Sequence, residues 1–192
     1  MNLFERINNQ LIVECEDGTT EYTQAWWNTI PEDYEEPKRT EDEQECYDFA
    51  MSIIANYADR ELLGILSSGI SDHACYNWEK DVITTPCRAQ FDCDADFFGT
   101  LFHELIHSTA HKKRLARPKF EHMVDRTYCE EELIAELGAM YLMGICCYNS
   151  GVNFEQSASY IKHYRASTNT TNEQLLEIAK KAMQAVDYIL GE

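Results

Sequence analysis

Residues 103–111 read HELIHSTAH, three histidines at four-residue intervals with a glutamate directly after the first. At 3.6 residues per turn, His103 and His107 project from one helix face, one turn apart. Two imidazoles in that relation can hold one Zn2+, whose tetrahedral site needs a third protein ligand and leaves a position for water. Glu104 stands beside the pair, where it could take a proton from metal-activated water and pass it to a leaving amine. Five letters are weak evidence by themselves. With six histidines among 192 residues, H-E-x-x-H arises from composition alone at a rate of roughly 0.02. The neighbours argue against accident. Leu101, Phe102, Leu105 and Ile106 are bulky and apolar, so the helix should be buried, and a buried His-Glu-His cluster without a partner is costly.

The third ligand is expected from a second helix. In CEEELIAELGAMY, Glu132 and Glu136 stand at i and i+4 of an otherwise apolar stretch, so both carboxylates share one face. One can complete the metal site, and the other can receive the N–H of a liganding histidine and fix its tautomer. Glu132 is read as the ligand and Glu136 as the histidine's partner, with the swap as the alternative. Glu130 and Glu131 read as first-turn acids that complement a helix dipole. His111 lies about 80° around the helix from His103. It could touch a ligand or the substrate, or serve as a cation at the helix C-terminus.

Several elements must position these groups. QLIVECEDGTTEYTQ, with β-branched and apolar residues around Asp17-Gly18, predicts a hairpin. Residues 31–45 hold two prolines and eight acids and read as a linker entering a helix near Thr40. Helical periodicity then runs over 46–66, and HACYNWEKDVITTP alternates about Glu79-Lys80 as a strand pair. From Asp96 the chain reads as helices over 96–115, 130–147, 154–167 and 171–190, the last capped by Thr171 or Asn172. Strands come first and helices after, so the fold class is α+β.

Composition narrows the partners. Net charge is −18, a field that should repel a nucleic-acid backbone and suits a protein or peptide substrate, or a surface that imitates DNA. Solubility alone is the plainest account of that charge. The one basic cluster, Lys112, Lys113, Arg114 and Arg117, reads as charge at a helix C-terminus. No apolar run approaches the length of a membrane span. The opening MNLFERINNQLIVE has no basic n-region followed by an apolar stretch, so a cytoplasmic location is expected. The eight cysteines contain no C-x-x-C pair and are expected to be reduced, mostly as small hydrophobes.

FFGTLFHELIHSTAHKKRLAR, EEELIAELGAMYL, SYIKHYRA and AKKAMQAVDYIL follow one another in an order that resembles the C-terminal metallopeptidase domain of the antirestriction protein ArdC family. FAMSIIANY and ACYNWEKDVITTP, upstream of the motif, fit the same pattern, and the likeness covers residues 46–190. The resemblance implies a zincin-like fold of the gluzincin type, a small sheet over the H-E-x-x-H helix followed by several helices. By position it makes His103 and His107 zinc ligands, Glu104 the catalytic base and Glu132 the downstream ligand. Tyr160 matches a third-helix tyrosine whose phenol could polarise a scissile carbonyl. His111 matches a histidine that follows Trp-Thr-Gly in the family, where this chain has Ser108-Thr109-Ala110. Family members carry an N-terminal domain that binds single-stranded DNA. Here residues 1–45 are expected as an acidic hairpin and linker before the 46–192 metallopeptidase domain, and Trp26-Trp27 stands in acidic sequence, whereas stacking platforms normally sit in a basic groove.

The expected protein is therefore a zinc metallopeptidase of antirestriction type, cleaving peptide bonds by metal-activated water. The alternative is an acidic DNA mimic, or other protein-binding inhibitor of a host defence enzyme, in which zinc only braces the fold.

Overall fold

Thr40 starts the first helix by a reciprocal cap. Its Oγ1 accepts the Glu43 N–H at 3.3 Å while the Glu43 carboxylate accepts the Thr40 N–H at 2.7 Å, satisfying two donors that a helix start leaves open. Helix α1, Glu41–Glu61, buries Tyr47, Ala50, Met51, Ile54, Tyr57 and Ala58 at helical spacing. This is a computed structural model, and it describes residues 34–68, 72–119, 126–148 and 170–192 with Ser159 and Lys162. The expected N-terminal hairpin, Tyr160 and most of the helix expected around it lie outside the described residues.

The periodicity over 46–66 overruns the helix. Leu62 turns left-handed at φ 54° and the Leu63 N–H closes on the Ala58 carbonyl at 2.9 Å. Gly64–Ser68 then forms strand β1, which lies parallel to β3, Val82–Pro86. Leu62, Leu63, Ile65 and Leu66 satisfy a helical pattern as well as a buried strand, and such short apolar runs do not distinguish the two. Strand β2, Cys75–Asn77, pairs antiparallel with β3 in the register Tyr76↔Ile83, giving the order β1-β3-β2. The strand pair expected around Glu79-Lys80 is thus present. Its turn is held by Asn77 Oδ1, which accepts the Glu79 and Lys80 N–H groups at 3.0 and 2.9 Å.

The described residues divide into two compact units, one ending at Phe97 and one beginning at Phe98. In the first, Asp94 is gripped by two buried arginines. Arg39 Nε and Nη2 reach its two oxygens at 2.6 and 2.9 Å, and Arg88 Nε and Nη2 share Oδ1 at 2.9 and 2.7 Å. Burial pushes the Asp94 carboxyl up, but the two guanidiniums outweigh it and hold the group below its ordinary value. Asp94 is also the first residue of α2, Asp94–Thr109, so this anchored charge sits where a helix dipole favours an anion.

The second unit holds the rest of α2 with α3, Arg126–Ile145, and α4, Asn172–Leu190. Of the two expected caps, Thr171 is the one used, through a second reciprocal cap with Gln174. Helices α3 and α4 pack together, tied at their rim by the Lys181–Glu130 ion pair. Against α2, the decisive residue on α3 is Gly138. A Cβ there would stand 2.5 Å from Ile106 Cδ1 and 2.8 Å from its Cγ1, and Ile106 is fully buried. Gly138→Val should therefore destabilise the chain by about 1–3 kcal/mol or more, visible as a lowered urea midpoint. A midpoint equal to that of the parent would show that the helices need not approach so closely. Seven described cysteines are free thiols. No helix among the described residues is long and apolar enough to cross a membrane.

Candidate metal centre

The close approach at Gly138 brings the polar face of α3 onto the histidine face of α2. His103 and His107 point their Nε2 atoms at one another, 3.0 Å apart. Glu132 faces both, with Oε2 3.6 Å from His103 Nε2 and Oε1 3.5 Å from His107 Nε2. Ligand atoms of these three residues all lie within 4.8 Å of one another, the one such group of His, Cys, Asp and Glu among the described residues. Donors bound at about 2.0–2.1 Å in a tetrahedral site stand roughly 3.3 Å apart. The observed separations bracket that value. Two imidazole nitrogens and one carboxylate oxygen therefore fit a divalent metal of borderline softness in both spacing and chemistry.

Each imidazole is also held by its other nitrogen. His103 Nδ1 lies 3.4 Å from Glu136 Oε2, and His107 Nδ1 lies 3.2 Å from Glu131 Oε1. Carboxylates at both Nδ1 atoms orient the rings and leave each Nε2 facing Glu132. Glu104 is buried, and among the described residues nothing hydrogen-bonds its carboxylate.

Glu130 and Glu131, expected as first-turn acids, are misassigned. Helix α3 begins at Arg126 and has no acid in its first turn, so both fall in the second turn, and Glu131 is 5% exposed. It receives a two-pronged contact from Arg117, Nε to Oε2 at 2.8 Å and Nη2 to Oε1 at 2.7 Å. Burial pushes the Glu131 carboxyl up, yet Arg117 and then His107 hold it below the usual range. Arg117 belongs to the segment read as helix-terminal charge, and it does donate to the Ile106 carbonyl at 2.9 Å. Arg114 does the same for the Ser108 carbonyl at 3.0 Å. The extra signal, an arginine aimed at an acid one residue before the expected ligand, needed the phase of α3 to be seen. His111 lies just past the end of α2, is buried, and accepts the Lys113 N–H at Nδ1 at 3.3 Å. It does not join the ligand group.

With several carboxylates around it, the metal-free centre keeps a proton. Burial pulls the His103 imidazole down, but Glu132 and Glu136, with the charge of Glu104, push it up to about 10. An imidazolium at His103 can donate from Nε2 to His107 Nε2, whose Nδ1–H faces Glu131. Because the folded value is raised from 6.5 to about 10, this proton stabilises the metal-free fold fully below about pH 6.5. The contribution is lost as pH rises through about 10. The metal-free melting temperature should accordingly fall between about pH 7 and 10. Metal must displace the proton, so affinity should drop about tenfold per unit of acidification in the same window. Affinity independent of pH in that window would rule out the displaced proton.

A zincin-like metallopeptidase model matches residues 58–181. The chain belongs to that family. Among individual proteins, it is similar to the antirestriction protein ArdC of plasmid R388. The Mn(II)-bound crystal structure of ArdC is 29% identical with a TM-score of 0.58, over 84% of this chain and 57% of ArdC. The metal-free ArdC structure is 31% identical with a TM-score of 0.53, over 74% and 49% of the two chains. Two proteins named DNA primase TraC, from Escherichia coli, are each 30% identical over 66% and 64% of this chain. The chain spans only 9% and 11% of those primases and about half of ArdC. Fold class and family thus agree with the expectation of an α+β, zincin-like domain of ArdC type.

Proposed function

We propose that this chain is a zinc-dependent peptidase of antirestriction type, with His103, His107 and Glu132 as metal ligands. The observation that carries the reading is the convergence of both Nε2 atoms on Glu132 beside the buried carboxylate of Glu104. A bound divalent ion supplies a Lewis acid for a scissile carbonyl and lowers the pKa of water beside it. Glu104 accepts the proton of the attacking water and returns it to the leaving amine. Glu136 and Glu131 hold the two rings by Nδ1, so the Nε2 lone pairs stay directed at one point. Tyr160, by its position in the resemblance, is assigned as donor to the carbonyl oxygen. His111, just past the end of α2, is assigned as a contact to a ligand or to the substrate. Substrate is a protein or peptide, since a chain of charge −18 gives a phosphate backbone little to bind.

Zinc is preferred because two imidazoles and a carboxylate suit it, and because affinity at such sites rises from Mn2+ to Zn2+. The Mn(II) complex of ArdC makes manganese the natural competitor in the test. The freshly purified chain should hold one equivalent of zinc by plasma mass spectrometry. A proteomic search for new termini in cells expressing it should find cleaved host proteins. A chain that contains no zinc and takes none up would overturn the reading.

A further inference from the structure

Arg117 has no part in the proposed reaction; it stands ten residues past His107, in the segment that follows the motif helix. Its guanidinium is engaged at all three nitrogens. Nε and Nη2 grip the two oxygens of Glu131, Nη2 also reaches the Ile106 carbonyl at 2.9 Å, and Nη1 donates to Thr109 Oγ1 at 2.7 Å. Its side chain is 8% exposed and that of Glu131 6%. A helix-capping arginine needs only the carbonyl contact. The fork on Glu131 is a separate commitment, and it meets His107 on the same atom: Oε1 receives both Arg117 Nη2 and His107 Nδ1.

We propose that Arg117 is a positioning residue for the metal centre, fixing the Glu131 carboxylate so that it sets the ring angle and tautomer of His107. A lone glutamate on α3 can rotate about three side-chain bonds. Held by a planar two-pronged guanidinium it has one orientation, and Oε1 then presents a single acceptor to the imidazole. The consequence reaches the other side of the ring, where Nε2 faces Glu132 at 3.5 Å. Because Arg117 also clasps Ile106 and Thr109, which flank His107 in sequence, it keeps the end of α2 and the second turn of α3 in one register. The inference rests on the reading that His103, His107 and Glu132 hold a divalent metal.

The test is a double-substitution cycle on the full chain with Arg117→Met, Glu131→Gln and both together. Zinc affinity is read by competition with a chromophoric chelator, ligand geometry by the visible spectrum of the Co2+-substituted protein, and folding by a metal-free melt. Arg117→Met should weaken zinc about 10–100-fold and shift the Co2+ bands. In the Glu131→Gln background it should add almost nothing, because the carboxylate it would hold is gone. If Arg117→Met does not fold, Arg117→Lys replaces it, and it too should bind zinc more weakly, since one ammonium cannot span both oxygens. Zinc affinity and Co2+ spectrum unchanged from the parent, or losses that simply add in the double variant, would overturn the positioning role while leaving the metal site intact. A parent chain that binds no zinc overturns the metal reading itself.

Discussion

Glu104→Gln is expected to keep the full equivalent of zinc while peptide hydrolysis falls by about 10²–10⁴-fold, the span associated with a positioned general base. The amide is nearly isosteric with the carboxylate, so the burial of Glu104 is undisturbed. Glu104 lies outside the ligand group of His103, His107 and Glu132, so all three ligands remain when its charge is removed. What the variant lacks is a group able to accept a proton and give it back. Two readouts on one sample, metal content and cleavage rate, separate a chemical loss from a structural one. Loss of zinc together with activity would show that Glu104 braces the site rather than acting on water. The same variant separates the two accounts of the −18 charge. Inhibition of host defence that survives the substitution favours an acidic mimic in which the metal is structural, and inhibition that disappears favours proteolysis.

Glu132→Gln and Glu136→Gln should part company in metal affinity. Glu132 addresses both Nε2 atoms, whereas Glu136 stands against Nδ1 of His103. Removing the anionic ligand should weaken zinc by more than about 100-fold, and removing the ring's partner by about 10–100-fold. The smaller loss follows because the amide oxygen introduced by Glu136→Gln can still accept the Nδ1–H. Competition titrations on both variants, with melts to verify folding, decide the order. If Glu136→Gln is the more damaging, the two glutamates exchange roles and the geometry around His103 must rearrange when metal binds.

Much of this centre was legible because its parts obey helical spacing. His103 with His107, and Glu132 with Glu136, each repeat at i and i+4, and such pairs share a face whatever surrounds the helix. Thr40 and Thr171 were readable for a similar local reason: a hydroxyl followed three residues later by Glu or Gln closes on its own backbone. Glu131 was not readable in this way. It stands about 100° around α3 from Glu132, and only the crossing of α2 and α3 at Gly138 turns that offset into a reach toward the second histidine. Arg117 was hidden by a sufficient simpler account, since a base after a helix end usually does no more than cap it. Strand β1 was lost to ambiguity. GIL continues the helical rhythm of α1, and what makes it a strand is pairing with β3, eighteen residues away in register.

From His103 to Glu136, the proposed ligands and base and both carboxylates at the ring Nδ1 atoms occupy two successive helices. The connection between Thr109 and Arg126 is 16 residues long, and closing it costs only about 0.6 kcal/mol more than closing one half that length. No distant strand and no terminus need arrive before the centre can assemble. A ligand cluster gathered so locally along the chain is portable: it can be carried into a longer polypeptide without being rebuilt. That accords with a match spanning about half of ArdC and only a tenth of the TraC primases.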